Sequence, residues 1–244
     1  MSATPYDEHV RFYLDFVDRG LGDPGDLRHH LVRRFEALVG ERIRDATVLD
    51  VACGEGYLSR HFAALSPRQI VGVDLSAALV EVARQRSLSP LPTFRVDDAQ
   101  RLTTVADATI DVALSQLALM DIADHRAMFR AVHRVLKDHG VFAFSLLHPC
   151  FEGPFCLPEE PQFIKDAGVD VAVAVRRYAT EGHWQSGGSG VRGHMGAYHR
   201  TLATLINDLM GAGFVLERLE EPVQDGNGLA SQVPRYLLVS ARRA

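Results

Sequence analysis

Cysteine is scarce in this sequence, which has three cysteines among 244 residues. An odd count leaves one thiol outside any set of disulfides, and the spacing of Cys53, Cys150 and Cys156 does not match a zinc site. The sequence therefore argues against a disulfide-rich fold and predicts no metal site. We expect reduced thiols, as in a cytoplasmic protein.

Long apolar runs are also missing. No stretch approaches the roughly twenty apolar residues that span a bilayer. The N-terminal stretch MSATPYDEHV lacks the basic start and apolar core of a signal peptide. We therefore expect a cytoplasmic protein with no membrane partner.

Positive charge does not exceed negative charge. The 26 lysines and arginines stand against 31 aspartates and glutamates, for a net charge of −5. Such a chain has no overall field that attracts nucleic acid or an anionic membrane, and no basic groove interleaved with aromatics is visible. We expect no nucleic-acid partner. The length fits one α/β domain with a modest insertion, as a monomer or a homodimer.

The most informative stretch is VLDVACGEGYLSRHF, over residues 48–62. Val48–Val51 has the apolar character of a strand that is buried on both faces. Gly54 and Gly56 follow, and Tyr57–Ala64 has the pattern of a helix. A strand, a glycine turn and a helix in this order open a doubly wound α/β sheet. The free N–H groups at the start of the helix predict a ligand in the turn.

Acidic residues follow the next two predicted strands. Ile70–Val73 ends in Asp74, about twenty residues after the glycines, where such folds place a carboxylate on ribose hydroxyls. Thr93–Val96 is followed by Asp97 and Asp98. The sequence therefore predicts a ribose-bearing ligand.

Two common phosphate-binding patterns are incomplete in this chain. A dinucleotide fold has a third glycine where this sequence has Ser59, and a phosphate loop needs a lysine that is absent here. A Rossmann-like domain for another nucleotide stays an alternative, and the missing third glycine argues against it.

Three segments in this order, VLDVACGEG, VGVDLS and VDDAQRL, resemble class I S-adenosylmethionine-dependent methyltransferases, in particular a group of bacterial small-molecule methyltransferases. The resemblance covers residues 46–140 strongly and the C-terminal part loosely. It implies an α/β fold with a doubly wound, Rossmann-like, mostly parallel sheet of seven strands, whose last strand is antiparallel. It also implies S-adenosylmethionine as cofactor and S-adenosylhomocysteine as product.

The resemblance assigns roles to individual residues. Asp74 would accept hydrogen bonds from the ribose, and Asp98 from the adenine amino group, with Asp97 as a competitor for that place. Asp50 would orient the turn through backbone N–H groups or water, and a turn or cap role is the alternative for each acid. Gln116 and Leu117 would face the methionine part or the sulfonium. The expected cofactor-binding residues are Tyr13, Asp50, Ala52, Gly54, Asp74, Leu75, Asp98, Ala99, Gln116 and Leu117.

Two helices are predicted ahead of the first strand, over residues 5–19 and 27–39, and they form a predicted N-terminal helical cap over residues 1–45. Tyr6 and Tyr13 are seven residues apart and therefore share one helix face. In the resembling family, aromatic residues of such a helix close over the cofactor. Simple packing of both rings is the alternative.

Residues 46–244 form the predicted methyltransferase domain. Gly140 is expected at the C′ position of the helix over residues 124–136. Two further helices are expected over residues 77–86 and 201–210. The later strands are expected over residues 110–115, 141–147, 214–219 and 236–240.

Residues 149–200 form a predicted insert after the fifth strand. Four prolines and the run from Gly187 to Gly190 make this segment too long for a plain connection in a compact domain. A substrate lid is the preferred interpretation, because glycine hinges and the single tryptophan, Trp184, suit a flap over a small ligand. A flexible insert is the alternative.

Histidines near the predicted ligand edge are the candidate catalytic residues. His148 follows the fifth strand, and an imidazole titrates near neutral pH, so His148 is the candidate general base. A turn role beside Pro149 is the alternative. His199 belongs to a His-Arg-Thr junction that resembles the same bacterial group. His183 and His194 are expected to lie in surface loops rather than bind a metal.

The expected function is methyl transfer from S-adenosylmethionine to a small-molecule acceptor, at oxygen, nitrogen or carbon, with secondary metabolism as one setting. The Asn/Asp-Pro-Pro-Tyr type motif of adenine or amide methylation is absent after the fourth strand, where SQLALM stands. The alternatives left open are a cyclase-type enzyme that uses the sulfonium without methyl transfer, a protein or peptide methyltransferase, and a binding module without activity.

Overall fold

A computed structural model of the chain describes residues 4–21, 27–152, 162–186 and 188–244. Eleven strands are present in these ranges. They are β1 (Thr47–Val51), β2 (Gln69–Asp74), β3 (Thr93–Val96), β4 (Ile110–Gln116), β5 (Leu136–Leu147), β6 (Phe163–Asp166), β7 (Val169–Val173), β8 (Gly182–Trp184), β9 (Ala197–His199), β10 (Phe214–Glu220) and β11 (Tyr236–Arg243).

Eight α-helices accompany these strands within the same ranges. Side-chain oxygens accept hydrogen bonds from the first turns of four of them: Thr4 from Asp7, Ser76 from Leu79, Asp124 from Ala127, and Thr201 from Thr204. The helices are α1 (Pro5–Glu8), α2 (Val10–Leu21), α3 (Leu27–Val39), α4 (Tyr57–Ala63), α5 (Ala77–Arg86), α6 (His125–Val135), α7 (Val191–His194) and α8 (Leu202–Gly211).

Seven strands form one sheet in the order β10-β11-β5-β4-β1-β2-β3. β1 lies between β2 and β4 and is parallel to both. The point between β1 and β4 is therefore the switch point of the sheet, outside which ligands bind in doubly wound folds. β11 is antiparallel to both β5 and β10. The predicted seven-stranded α/β fold with an antiparallel last strand is confirmed.

The core covers both faces of this sheet. Successive residues of β1 point to opposite faces, so Leu49 packs in the cluster with α6 and α8, whereas Val48 packs in the cluster with α3 and α4. The apolar run of the β1 segment is buried throughout. This double burial explains why the strand is apolar at nearly every position and why the one acid in it, Asp50, needs a local partner.

Two predicted element boundaries were wrong. The first helix is interrupted at His9, so that α1 and α2 are separate. Gly140 is not at a helix C′ position, because α6 ends at Val135 and Leu136 already pairs with Ile110 of β4. A side chain at position 140 would lie 2.9 Å from a backbone carbonyl oxygen, so a close approach of the backbone explains this glycine.

The described part of the 149–200 insert contains two small antiparallel hairpins. β6 pairs with β7, and β8 pairs with β9. The helix α7 lies between β8 and β9 in the chain. Three of the four prolines noted above, and Gly187, lie outside the described residues. Across the described ranges, no helix is long and apolar enough to cross a membrane.

Candidate active site

The glycine turn after β1 is built from left-handed backbone. Ala52, Gly54 and Gly56 have φ angles of 57°, 54° and 83°, and Gly56 is the N-cap of α4. A Cβ at Gly56 would lie 2.7 Å from Cζ of Phe94. The turn therefore requires glycine at position 56 for its backbone conformation and for close packing.

Replacing Gly56 by alanine is expected to lower the free energy of unfolding by about 2–4 kcal/mol, the sum of a left-handed alanine and a clash with Phe94. Gly211→Ala is the control, because Gly211 ends α8 with open space at its Cβ position. Its free energy of unfolding should stay within about 1 kcal/mol of the wild type or rise. Urea unfolding of both variants makes the comparison. Equal stability of the two would contradict this account of the turn.

Asp74 ties the end of β2 to the glycine turn. Its Oδ2 accepts the N–H of Gly54 at 2.8 Å, and its Oδ1 accepts the N–H of Ser76 at 2.9 Å. Asp7 of α1 adds a second carboxylate here, which accepts from the Ser76 hydroxyl at 2.6 Å and from the Ala78 N–H at 3.2 Å. Asp7 is not among the site residues predicted from the sequence. Its signal is the capping box that it forms with Thr4.

Asp50 is held by both the side chain and the backbone of Ser59. Its Oδ2 accepts a hydrogen bond from the Ser59 hydroxyl at 2.6 Å, and the Ser59 backbone N–H also donates to the carboxylate. A backbone donor was predicted for Asp50, whereas the serine hydroxyl was not. Ser59 occupies the place of the third glycine of a dinucleotide fold. Both side chains are buried, and burial raises the pKa of Asp50 to about 7. Ser59 therefore gives Asp50 of β1 a hydrogen-bond donor, and a glycine at position 59 would leave this acid without a side-chain partner.

The two acids after β3 have separate surroundings. Asp97 is buried and accepts from the backbone N–H and the hydroxyl of both Thr103 and Thr104. Both oxygens of the Asp97 carboxylate are therefore used to hold its own loop. Asp98 is half-buried, and its Oδ1 accepts from the backbone and side-chain amides of Gln100. Between the two, Asp98 is the acid that is left for a ligand.

Leu75 and Ala99 lie beside these acids at the same sheet edge. Leu75 is 41% exposed although it is a large apolar residue, and Ala99 is buried. An exposed leucine next to Asp74 offers an apolar surface on which a flat ring can pack. The structure thus brings these residues, predicted as cofactor-binding, to the carboxyl ends of β2 and β3.

Gln116 and Leu117 follow β4 on the other side of the switch point. Leu117 has a φ angle of 52°, and its N–H donates to the carbonyl oxygen of Ser145 at 3.0 Å. The side-chain nitrogen of Gln116 is buried and has no hydrogen-bond partner among the described residues. A buried donor without an acceptor is costly, so Gln116 points to a ligand that supplies one.

One cavity of about 390 Å³ joins the glycine turn to the insert. Tyr13 lies over the turn, because a Cβ at Gly54 would be 3.3 Å from the Tyr13 hydroxyl. Tyr6 packs edge to face on Tyr13 with ring centroids 5.0 Å apart. The cavity is lined by Tyr6, Tyr13, Phe16, Val17, Asp50, Ala52, Cys53, Gly54, Glu55, Tyr57, Leu58, Gln116, Leu117, Met120, Leu147, Glu152, Ser186, Gly190, Val191, Arg192, Arg235 and Tyr236.

Known proteins share this architecture. A family model described as a methyltransferase domain matches residues 49–144. An S-adenosylmethionine-dependent methyltransferase from Mesorhizobium loti has a crystal structure that matches with a TM-score of 0.69 and 28% identity, over 82% of this chain and 92% of that one. The matched domain contains the glycine turn, Asp74 and Asp98. The chain carries a class I S-adenosylmethionine-dependent methyltransferase domain.

Two curated relatives of this methyltransferase differ in how much of the chain they match. An uncharacterized protein of Haemophilus influenzae is 27% identical over 193 residues, which cover 74% of this chain and 72% of the relative. The N-demethylindolmycin N-methyltransferase of Streptomyces griseus is 30% identical over 105 residues, which cover 42% of this chain and 44% of that enzyme. The chain therefore spans less than half of the relative that has a named activity.

The residues of the methyltransferase site fit S-adenosylmethionine, its cofactor. We propose that Asp74 accepts from the ribose hydroxyls and that the free amide nitrogen of Gln116 donates to the methionine carboxylate. Gly54 leaves the turn without a side chain at the point where the ligand passes. Asp98 and Leu75 are proposed to hold the adenine by a hydrogen bond and by packing.

Burial raises the pKa of Asp74 to about 6, which predicts a pH dependence of cofactor binding. Ribose hydroxyls donate to the ionised carboxylate and lower this pKa in the complex, so binding releases a proton when Asp74 is protonated in the free enzyme. The affinity should be constant above pH 7 and weaken about tenfold at pH 5. Calorimetry of S-adenosylhomocysteine binding between pH 5 and 8 measures this, and Asp74→Asn should flatten the curve. A flat wild-type curve would contradict the proposed contact.

An ion pair beside the cavity links the insert to the rest of the enzyme. Arg192 of α7 donates to the carboxylate of Asp121, which follows β4, with one contact of 3.3 Å and a shorter one. The Arg192 guanidinium also donates to the carbonyl oxygen of Gly196 at 2.8 Å. The ring of His194 packs on Phe12 of α2 with centroids 4.4 Å apart. The insert thus touches both the sheet edge and the N-terminal helices.

The two predicted catalytic histidines lie outside this cavity. His148 is buried, its Nε2 is 2.7 Å from Glu221 and its Nδ1 accepts the N–H of Cys150 at 3.1 Å. His199 is also buried, its Nε2 is 2.8 Å from the carbonyl oxygen of Tyr178, and burial lowers its pKa. The structure therefore does not support either histidine as a general base for a ligand in this cavity.

These histidines have structural partners instead. The backbone N–H of His148 donates to the carbonyl oxygen of Arg235 at 2.9 Å, which joins the end of β5 to the start of β11. Next to His199, the guanidinium of Arg200 donates to three backbone carbonyl groups after β4, including that of Leu119 at 3.1 Å. The His-Arg-Thr junction thus anchors the end of the insert. The described residues contain no cluster of three or more histidine, cysteine or acidic side chains suited to a metal.

Proposed function

We propose that this enzyme transfers the methyl group of S-adenosylmethionine to a small organic acceptor in the cavity between the glycine turn and the insert. The observation that carries the proposal is the lining of that cavity, which includes both Gly54 of the turn and Arg192 of the insert. A volume of about 390 Å³ is that of a small-ligand pocket. The insert, residues 149–200, is proposed to be the lid of this pocket, and residues 1–45 its N-terminal cap.

The cofactor supplies an activated methyl group on a positively charged sulfur, so the protein has mainly to hold the acceptor in line. Positioning of two reactants can supply several kcal/mol of a barrier. Tyr6, Tyr13 and Leu117 surround the space beside the turn, and they can fix the acceptor by contact. These residues also exclude water from that space.

We propose a nitrogen with an available lone pair as the atom that accepts the methyl group. Such a nitrogen needs no proton acceptor before it attacks, whereas a hydroxyl group or a carbon usually does. No histidine is part of the cavity lining in the described ranges, and His148 and His199 are engaged elsewhere. The partial match to an enzyme named as an N-methyltransferase supports the same choice.

Mass spectrometry tests this proposal. The enzyme is incubated with S-adenosylmethionine and a panel of small aromatic amines and phenols. We expect S-adenosylhomocysteine and an equal amount of N-methylated product. A product without added methyl, formed while S-adenosylmethionine stays intact, would instead support the cyclase-type alternative. Methylation of phenols alone would contradict the choice of nitrogen.

A further inference from the structure

The charged side chains that line the cavity are already paired. Glu55 is held by Arg60 at 2.6 Å and by Arg86 at 3.1 Å. Arg192 is paired with Asp121. The guanidinium of Arg235 donates to the carboxylate of Glu152, and Asp50 has its serine partner. Among the residues that the structure describes, the lining contains no lysine and no histidine.

Six residues of the cavity lining that are outside the proposed cofactor contacts form what we call the acceptor wall. They are Tyr57, Leu147, Glu152, Val191, Arg235 and Tyr236. Four of its six members are apolar or aromatic, and its two charges neutralise each other. The Glu152 side chain is 13% exposed and that of Arg235 is 41% exposed, so the carboxylate of the pair is largely removed from water while the guanidinium still reaches it.

A charged acceptor finds no free countercharge at this wall. A carboxylate that binds Arg235 has to compete with Glu152, and a displaced Glu152 would be left as a partly buried charge without a partner. A cationic acceptor would lie next to the sulfonium of the cofactor and be repelled by it. An uncharged polar group avoids both costs, because it can donate to Glu152 and accept from Arg235 at the same time.

We infer that the acceptor is an uncharged molecule with an aromatic or other flat apolar body, and that the Glu152–Arg235 pair is the polar group that selects it. This inference rests on the proposed function and names the substrate class of the same cavity. Aromatic side chains from three elements, Phe16, Tyr57 and Tyr236, give such a body its contact surface. Glu152 and Arg235 act as specificity-determining residues.

Matched pairs of probes test the inference by equilibrium binding to the enzyme loaded with S-adenosylhomocysteine. The pairs are 4-aminobenzamide with 4-aminobenzoate, and indole-3-carboxamide with indole-3-carboxylate. Each amide is expected to bind at least about tenfold more tightly than its carboxylate. Equal or tighter binding of the carboxylates would overturn the inference, and so would the failure of all four probes to bind.

Two variants change the charge of the wall in opposite directions. Glu152→Gln leaves Arg235 without its countercharge, so the preference should reverse in favour of the carboxylates. Arg235→Gln leaves Glu152 alone, so the penalty on the carboxylates should increase. Glu36→Gln removes an acid that pairs with His61 away from the cavity and should keep the wild-type preference. An unchanged preference in both cavity variants would overturn the inference.

Binding of S-adenosylhomocysteine is measured on the same samples and separates the two proposals. Normal cofactor binding with no discrimination between amide and carboxylate overturns only the acceptor class. If the wild-type protein does not bind S-adenosylhomocysteine, the proposed function is overturned as well.

Discussion

Replacing Asp74 by alanine is expected to weaken binding of S-adenosylmethionine about 100-fold or more. The proposed contacts are two hydrogen bonds from ribose hydroxyls to a carboxylate, and each such bond contributes roughly 1.5–3 kcal/mol. The variant also frees the N–H of Gly54, which Asp74 accepts at 2.8 Å in the free protein. Calorimetry with S-adenosylmethionine measures the loss.

Two further variants separate the effect of the Asp74 charge on binding from an effect on folding. Asp74→Asn keeps an oxygen that can accept from Gly54 but removes the charge, so it should bind more weakly than the wild type and more tightly than the alanine variant. Asp138→Ala removes a carboxylate that is 83% exposed, and its affinity should equal that of the wild type. An Asp74→Ala variant that keeps its affinity and its thermal stability would show that the ribose lies elsewhere.

The second large effect is expected at the ion pair between Arg192 and Asp121. Both side chains are less than a fifth exposed, at 18% and 17%. Removal of one partner leaves a charge beside the cavity with no countercharge, so Arg192→Gln and Asp121→Asn should each lower kcat/KM roughly 30-fold or more, equivalent to about 2 kcal/mol. The measurement is steady-state methyl transfer with the best acceptor from the panel.

The double variant decides whether the two residues act as a pair. Removal of both charges leaves no unpaired charge, so the double variant should lose less than the sum of the two single losses. Glu81→Gln is the control, because Glu81 and Arg84 form an exposed pair on α5 and such pairs contribute little. Additive losses in the double variant would contradict the proposed role of the pair in holding the insert over the cavity.

Local sequence patterns were enough to predict that the proposed cofactor-binding residues lie together at one edge of the sheet. The apolar strand that ends at Val51, the glycines and Asp74 lie close together in the chain or at a fixed distance along it, and a parallel sheet brings the ends of its strands to one edge. The choice between Asp97 and Asp98 needed the structure. It depends on side chains of Thr103 and Thr104, which no motif marks.

The acceptor half could not be predicted in the same way. Glu152, Arg192 and Arg235 come from the start of the insert, the part near its end and the segment before β11. No spacing rule joins such distant positions, and tertiary packing alone brings them to one cavity. The catalytic roles predicted for the two histidines stay predictions, and neither histidine is among the cavity-lining residues that the structure describes. The sequence places His148 near the ligand edge, but its hydrogen-bond partner Glu221 is 73 residues away.

We propose that the bend after β1 and the carboxylate of Asp74 bind the adenosyl group beside the acceptor cavity. A crystal structure of the protein with S-adenosylhomocysteine is the decisive experiment. We expect ribose hydroxyls within hydrogen-bond distance of Asp74 and the ligand carboxylate near the amide nitrogen of Gln116. A ligand bound at any other place, with the bend closed by side chains of the protein, would contradict it.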